Sequence, residues 1–499
     1  MAERAQPARD PAKDCDIVVV GTGITESLLA TLLVRDGYSL FIIDTEAFYG
    51  GECTSLDIRE MWKRYRWTDE QKHLDFLYRV DPSDVEELKT GPEPPAVFTE
   101  PAQKGTKAPQ WLIPLVPKFL MADGDLTKYL RKIFPDREGN PGILLAQIGG
   151  SFVVTGGKPY RVPTTPSEAA FSSLLTLSQK YLMRGLLQYI AGYKEEDPST
   201  HNGLNLDQIT AQELFDKYSI DSTTASFIGH AMALYQDDAY LTGTARDTVN
   251  RIILYVRSMA VNGPSPYVFP YYGLREIPER FSMETARRGS QYALNTKVGE
   301  VVYENGVVAG LKYKNQFVSK DETVVKAKKV ISSPSHLLGK PDASKLRKTG
   351  KLVRAVCLIT RPIKGIGEAH SAQIIIPASQ CGRKNDIYIS VIGHLHNACP
   401  KGYQVCNVST IVEDPNGNPL AELEPGLKVI GLGNGFLDKN EEKFVSVVDL
   451  YEPAPEKPQD NLFITKSYDA STHFESCIED VQRVYKEVTG KDLDLSTLE

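Results

Sequence analysis

The first 60 residues alternate between short apolar runs and one longer helical pattern. Residues 17–20 are a continuous run of β-branched side chains, and residues 40–43 are a second apolar run. Between them a glycine-containing turn leads into the leucine-rich segment 27–33. Short apolar runs are typical of buried strands, whereas a longer periodic segment indicates a helix. The pattern predicts a β-α-β unit that ends near residue 58.

From residue 164 to residue 258 the apolar positions follow the helical period. Thr210 and Glu213 have the spacing of a capping box, which marks the start of a helix. Three further stretches have helical spacing, at residues 174–190, 225–233 and 246–259. Strand patterns occur on both sides of this block, so we expect an all-helical insertion.

Strand patterns return after residue 265. The Asn305-Gly306 pair between two apolar segments predicts a hairpin. Residues 329–333 predict a short strand that rejoins the first sheet. The last helix is expected over residues 472–489, with Thr472 and Glu475 as a capping box and Gly490 as the stop.

These patterns predict an α/β protein with a discontinuous large domain. We assign residues 14–163 and 259–499 to that domain, residues 164–258 to the helical domain, and residues 1–13 to a disordered tail. Residues 62–110 are charged and rich in proline, as is typical of a long inserted loop.

Composition limits the functional classes. The chain has 499 residues, a net charge of −7 and seven scattered cysteines with no C-x-x-C pair. An acidic chain argues against nucleic acid as a partner. No apolar run is long enough for a membrane span, and the N-terminus lacks the apolar core of a signal peptide. We expect a cytoplasmic protein with reduced thiols and no metal site.

Residues 21–26 follow the first strand and resemble a dinucleotide-binding fingerprint with one position changed. Gly21 and Gly23 suit the tight turn, and Asp44 ends the next strand, where a ribose hydroxyl would be held. The third glycine is replaced by Glu26, at a helix N-terminus that would otherwise favour a pyrophosphate. The carboxylate would repel phosphate and occupy its space. The expected scaffold is therefore that of a flavoprotein, with FAD/NAD(P)-type topology, and no flavin is expected to bind.

The chain also resembles the superfamily of Rab GDP dissociation inhibitors and Rab escort proteins, and it is more similar to the inhibitor branch. Several segments carry the resemblance in the same order and spacing over more than 400 residues. They are residues 21–26, 49–52, 117–122, 227–234, 265–267 with 272–274, 449–453 and 468–475.

The resemblance implies a non-enzymatic chaperone that binds GDP-bound, geranylgeranylated Rab GTPases. Such a protein inhibits GDP release, extracts the GTPase from membranes and recycles it in vesicular transport. It would be a cytoplasmic monomer that contacts membranes transiently. Two isoprenoid chains cannot remain in water, because each buried methylene is worth about 0.8 kcal/mol.

The resemblance also implies two sites. Tyr49 and Glu276 occupy positions that match the Rab-binding platform on the large domain. The isoprenoids would lie in an apolar cleft of the helical domain. Its candidate lining residues are Met183, Leu186, Leu187, Ile190, Phe227 and Ile228.

The chain departs from the family pattern near the platform. The family usually has an arginine and a large apolar residue downstream of Glu276, where this chain has Met283 and Ala293. An arginine and a tyrosine are also usual before residue 265, where this chain has Val261 and Asn262. These departures predict weaker GTPase binding or a different set of partners.

Three other functions are considered. A flavin-dependent oxidoreductase would need a glycine at position 26 and a late Gly-Asp pair, but here Tyr468 precedes Asp469. A Rab escort protein, which presents Rab to the geranylgeranyl transferase, would be longer. A divergent member could serve only as a scaffold. No G-x-S-x-G segment indicates a serine hydrolase, and no catalytic residue is assigned.

Overall fold

The computed structural model describes residues 14–65, 93–100, 110–137, 141–163, 175–315, 321–433, 435–455 and 459–494. The predicted tail at 1–13, and much of the predicted insertion at 62–110, lie outside these residues. The helices of the described part are α1 Ile24–Arg35, α2 Ile58–Tyr65, α3 Ala96–Thr99, α4 Asp125–Ile133, α5 Leu177–Gly192, α6 Ala211–Lys217, α7 Ser222–Phe227, α8 Ala245–Asn262, α9 Glu276–Arg287, α10 Glu424–Val429 and α11 Glu475–Thr489.

Nineteen strands are assigned within the same residues. They are β1 Cys15–Val20, β2 Leu40–Ile43, β3 Ser55–Leu56, β4 Ile113–Pro114, β5 Leu120–Met121, β6 Leu145–Gln147, β7 Ser151–Thr155, β8 Lys158–Arg161, β9 Tyr267–Pro270, β10 Gln291–Ala293, β11 Lys297–Glu304, β12 Val307–Lys314, β13 Thr323–Ser332, β14 Leu346–Ile359, β15 Ala372–Ile376, β16 Ile387–Gly393, β17 Gln404–Ile411, β18 Glu442–Pro453 and β19 Leu462–Ile464.

The first large sheet has the order β10-β2-β1-β13-β12-β11, with β19 also paired to β13. Strands β10, β2, β1, β13 and β19 are parallel, as in a nucleotide-binding fold. The predicted strand at 329–333 rejoins this sheet as the end of β13. The hairpin of β11 and β12 turns at Asn305 and Gly306, both with positive φ, as the Asn-Gly pair predicts.

Helix α1 carries the fingerprint residues into the protein interior. It packs against α9 and α11, and all of its residues except Arg35 are buried. An evenly apolar helix is typical of such a position, because no face meets water. The second large sheet, β18-β14-β17-β16-β15-β7-β8, lies on the other side of the fingerprint region.

Helices α5 to α8 occupy residues 177–262, and a π-helical turn at 228–232 follows α7. The capping box of Thr210 and Glu213 is confirmed at the start of α6. Helix α8 continues four residues past the predicted boundary at 258. The block is joined to the second sheet through His230, whose Nδ1 lies 2.7 Å from Oδ2 of the buried Asp386.

The start of the last helix was predicted wrongly. Helix α11 begins at Glu475, its N-cap is Phe474, and it has no side-chain cap. Thr472 is buried, and its hydroxyl accepts a hydrogen bond from Gln373 Nε2 at 3.1 Å. The stop at Gly490 is confirmed, with φ at 75°. Within the described residues, no helix is both long and apolar enough to span a bilayer.

Candidate functional site

The fingerprint loop has the backbone that its glycines predict. Gly21 has φ at +113° directly after β1, and Gly23 is the N-cap residue of α1. Gly23 offers no side chain to cap the helix, so the first N–H groups of α1 need other acceptors. In a dinucleotide-binding protein those acceptors are phosphate oxygens.

In this protein the side chains of Glu26 and Tyr468 lie where those phosphate oxygens would be. A Cβ atom at Gly23 would lie 2.5 Å from Glu26 Oε2 and 2.8 Å from the Tyr468 hydroxyl. The N–H of Thr25 donates to the Tyr468 oxygen at 3.3 Å. Glu26 is buried, and its Oε1 accepts a hydrogen bond from Thr465 at 2.7 Å. The residues present therefore do not fit a pyrophosphate at this helix terminus.

The physical reason why Glu26 excludes a phosphate differs in part from the predicted one. Burial raises the pKa of Glu26 to about 7, although the Thr465 hydroxyl opposes the shift. A carboxyl group with that pKa is neutral in a large fraction of molecules near pH 7. Glu26 therefore excludes phosphate by occupying its volume as well as by charge.

The Asp44 carboxylate also accepts hydrogen bonds from within the protein. Its Oδ2 accepts from the backbone N–H and the hydroxyl of Thr22, at 2.7 and 2.6 Å. Its Oδ1 accepts from the N–H of Glu46 at 3.0 Å and lies 3.6 Å from His336 Nε2. Burial alone would raise the pKa of Asp44, but the bonds from His336 and Thr22 hold it below its ordinary value. Few lone pairs of the Asp44 carboxylate therefore remain to accept a hydrogen bond from a ribose hydroxyl.

A cavity of about 680 Å³ remains beside these groups, between the two large sheets. Gly21, Gly23, Glu26 and Asp44 form part of its wall. The opposite wall is formed by β14 and β18 and by the segment that contains Tyr468. The four fingerprint residues are thus brought together on one wall of this cavity.

Tyr49 lies on the loop that follows β2, and the fingerprint loop fixes that loop in place. Gly50 donates its N–H to the carbonyl oxygen of Thr22 at 3.0 Å. The partly buried Tyr49 ring makes an edge contact with Tyr292, with ring centres 5.8 Å apart. The same loop touches α9, because a Cβ atom at Gly50 would lie 3.2 Å from Pro278.

Glu276 is the first residue of α9, which places Tyr49 and Glu276 on adjoining segments. Its side chain is mostly buried, with Oε1 3.6 Å from Arg280 Nη2 and with no hydrogen-bond partner for Oε2. Burial raises the pKa of Glu276, and the Arg280 guanidinium opposes the shift. The unpartnered Oε2 atom is itself buried, so another molecule can bond to it only after the side chain moves outward.

Exposed apolar side chains lie on the segments next to Glu276. Tyr272 is 52% exposed and Leu144 is 50% exposed, and the N–H of Tyr271 bonds to the Leu144 carbonyl at 2.9 Å. Met283 is 49% exposed and shares a helix face with Glu276, two turns further along α9. We call Tyr49, Leu144, Tyr271, Tyr272, Glu276 and Met283 the platform face.

Sequence reasoning missed Leu144, Tyr271 and Tyr272 as surface residues. The sequence signal for these surface residues was the aromatic pair Tyr271-Tyr272 directly before Gly273. The pair follows the end of β9, where side chains leave the sheet. Of the four residues that depart from the family pattern, Val261 is exposed on α8 and Met283 on α9, whereas Asn262 and Ala293 are buried. Arg280 supplies an arginine one turn after Glu276.

The isoprenoid candidates lie in the core of the helical block. Met183, Leu186, Ile190, Phe227 and Ile228 are buried, and Leu187 is partly buried against them. Packed in this way they form a closed interior. Their role as a lipid lining stays a prediction, and it requires the helical block to open.

Two segments that carry the family resemblance meet in the interior. The fully buried Lys118 ammonium group donates to Asp469 Oδ1 at 2.6 Å. It also donates to the carbonyls of Ser471 and His473, each at 3.0 Å. Burial alone would raise the pKa of Asp469, but the Lys118 charge holds it well below its ordinary value. Asp469 therefore anchors the segment after Tyr468 to the residues before α4.

Comparison with known proteins bears directly on these segments. A family model described as GDP dissociation inhibitor matches residues 12–80 and 96–499. The probable secretory pathway GDP dissociation inhibitor 1 of Schizosaccharomyces pombe is 39% identical over 484 residues, which cover 97% of this chain and 98% of that protein. The Rab GDP-dissociation inhibitor of Saccharomyces cerevisiae is 38% identical over 485 residues, covering 97% and 96%.

Solved structures agree on the fold. The Rab GDI of Plasmodium falciparum superposes with a TM-score of 0.80 at 29% identity and covers 97% of this chain and all of that one. An oxidoreductase of Methanosarcina mazei superposes with a TM-score of 0.54 at 14% identity, covering 94% of this chain and all of its own, which shows the shared flavoprotein-like fold alone. The predicted fold class is thus confirmed, and the chain belongs to the GDP dissociation inhibitor family.

Proposed function

We propose that this protein binds Rab-type GTPases in their GDP form, inhibits GDP release and extracts the prenylated GTPases from membranes for recycling. The observation that carries the proposal is the platform face, which presents the exposed side chains of Tyr271, Tyr272 and Met283 beside the mostly buried Glu276 carboxyl group. Tyrosine, methionine and arginine are enriched at protein interfaces. Relatives named Rab GDP-dissociation inhibitor support the choice of partner.

The platform face suits a regulator that acts by holding its partner. Tyr49, held by the fingerprint loop, and Tyr272 would pack against the GTPase, while Glu276 would accept a bond from a basic group. Holding the segments around the nucleotide in one conformation slows nucleotide release, since release requires them to open. We assign no catalytic residue, and the protein acts as a non-enzymatic chaperone.

The helical block is the proposed receptor for the geranylgeranyl groups. Each buried methylene is worth about 0.8 kcal/mol, so a 20-carbon chain repays the separation of packed helices. The six candidates are already apolar and belong to one hydrophobic core, and opening the helical block would expose them to the lipid. The protein would then be a cytoplasmic monomer that contacts membranes only while it loads or delivers its partner.

Membranes that carry geranylgeranylated Rab·GDP test the function. Incubation with the purified protein, followed by sedimentation, should move the Rab into the soluble fraction in proportion to added protein. Rab loaded with a GTP analogue should remain on the membrane. If Rab·GDP stays in the pellet at protein concentrations well above the Rab concentration, the proposed function is wrong.

Replacing Tyr49 by Ala should weaken extraction and the inhibition of GDP release by about tenfold or more, the usual cost of truncating a central interface tyrosine. The measurements are the protein concentration for half-extraction and the release rate of a fluorescent GDP analogue. Tyr160→Ala is the control, because Tyr160 is partly exposed in β8 of the other large sheet. Equal losses in the two variants would show a general effect on folding.

The purified protein should carry no flavin, because Glu26 and Tyr468 fill the position that the pyrophosphate needs. Denaturation of the protein would release any bound flavin, and the visible absorption spectrum of the resulting solution checks this directly. A stoichiometric flavin chromophore would refute the exclusion by Glu26 and revive the oxidoreductase alternative.

A further inference from the structure

Arg354 is a buried guanidinium group without a carboxylate partner. It lies in β14, and only 7% of its surface is exposed. Its Nη1 donates to the carbonyl of Leu115 at 2.9 Å, while its Nε has no partner. Among the described residues, no carboxylate oxygen lies within 4.0 Å of this guanidinium. Nearby Asp469 is already bonded to Lys118.

A second guanidinium lines the same cavity. Arg64, on α2, reaches Glu46 Oε1 only at 3.5 Å, and its buried Nε also has no partner. Lys340 lies on the cavity wall as well, with its Nζ bonded to a carbonyl oxygen of His336 at 2.5 Å. Burial lowers the pKa of Lys340 to about 8. Three cationic groups with unused donor capacity therefore border one space.

Most carboxylates on the cavity wall have their own partners. Asp44 is bonded to Thr22, Asp449 pairs with Lys348 at 2.7 Å, and Glu26 is bonded to Thr465. Glu52 is exposed to solvent. Glu46 is paired with Arg64 at 3.5 Å, so Arg354 is the buried guanidinium on this wall that has no carboxylate partner among the described residues. A buried cation in this state is costly unless an anion joins it.

We propose that this cavity binds a small phosphorylated ligand, with the phosphate held by Arg354 and Arg64. Guanidinium groups bind phosphate through paired, charge-assisted hydrogen bonds. A phosphate would supply the counter-charge that Arg354 lacks, and Arg64, which already shares Glu46, would add a second donor. The cavity of about 680 Å³ has the size of a small-molecule site, and Glu26 and Tyr468 occupy the space beside Gly23 at the helix terminus.

Calorimetric titration of the full chain with inorganic pyrophosphate, and separately with inorganic phosphate, tests the proposal. Ionic strength is held constant with sodium chloride. Saturable binding of at least one probe to the wild type is expected, together with a rise in unfolding temperature. Arg354→Met and Arg64→Met should each weaken that binding by about tenfold or more, since each removes a charge-assisted bond. Arg257→Met, on the exposed face of α8, is the matched control and should bind as the wild type does.

Arg354→Met should fold, because it removes a buried charge that has no carboxylate partner. If it does not fold, Arg64→Met alone decides the outcome. Absence of binding by the wild type overturns the proposal, and so does unchanged binding by both variants. Citrate that binds as tightly as pyrophosphate would overturn the assignment to phosphate. None of these outcomes depends on GTPase extraction.

Discussion

Replacement of Lys118 by methionine is expected to lower the free energy of unfolding by about 3–5 kcal/mol. The lysine is fully buried, and its ammonium group bonds to Asp469, Ser471 and His473. Methionine fills a similar volume but leaves the Asp469 carboxylate, whose side chain is 21% exposed, without its cation. A buried charge that loses its partner is far more costly than a lost surface pair. Urea unfolding followed by circular dichroism measures the change.

A second substitution identifies the cause. In the double variant Lys118→Met/Asp469→Asn the residual carboxylate is gone, so we expect it to be more stable than Lys118→Met alone. Lys314→Met, at the exposed end of β12, is the control and should change the unfolding free energy little. If Lys118→Met and Lys314→Met unfold at the same urea concentration, the buried pair does not stabilise the fold.

Replacement of Glu26 by glutamine should remove the part of the pH dependence of the unfolding free energy that comes from the titration of Glu26 near neutral pH. Burial raises the pKa of Glu26 from 4.5 to about 7 in the folded protein. The folded state therefore binds this proton more tightly than the unfolded state does. The stabilisation that results is complete below pH 4.5 and is lost as the pH rises through 7. Each pKa unit corresponds to about 1.4 kcal/mol, so the complete loss amounts to about 3–4 kcal/mol.

Glutamine has the shape of protonated glutamate and retains an acceptor for the Thr465 hydroxyl. We expect the variant to match the wild type at pH 5 and to exceed its unfolding free energy by about 2–3 kcal/mol at pH 8.5. Burial also raises the pKa of Glu475 to about 7, but that group is common to both proteins. Glu196→Gln, exposed before Asp197, is the control. A constant difference between variant and wild type across this pH range would refute the assignment.

Local signals predicted local structure well. The Asn305-Gly306 turn and the Thr210–Glu213 cap depend on residues close in sequence, and both form as expected. Thr472 has the same capping signature, but its hydroxyl bonds to Gln373, 99 residues away. Tertiary contacts decide between the two uses of a threonine hydroxyl. A sequence pattern of four residues contains no information on them.

The candidate sites likewise have features that the local sequence predicts and features that depend on tertiary contacts. Glu26 was identified from a missing glycine, because a fingerprint specifies the residue type at each position. Its raised pKa and its partner Thr465 depend on burial and on a segment 439 residues away. Arg354 was not identified, since one arginine in a strand pattern looks like any surface charge. Only the absence of a carboxylate around it marks it as unusual.

The contacts of Glu26 also bear on how the chain folds. The first β-α-β unit obtains the partners of its helix terminus from Thr465 and Tyr468, and its sheet is completed by β13 and β19. During synthesis this N-terminal unit emerges first, but its last neighbours emerge more than 400 residues later. Contacts of such high sequence separation slow folding and prolong the exposure of apolar strands. The first β-α-β unit therefore reaches its final structure only after synthesis has reached the segment before α11.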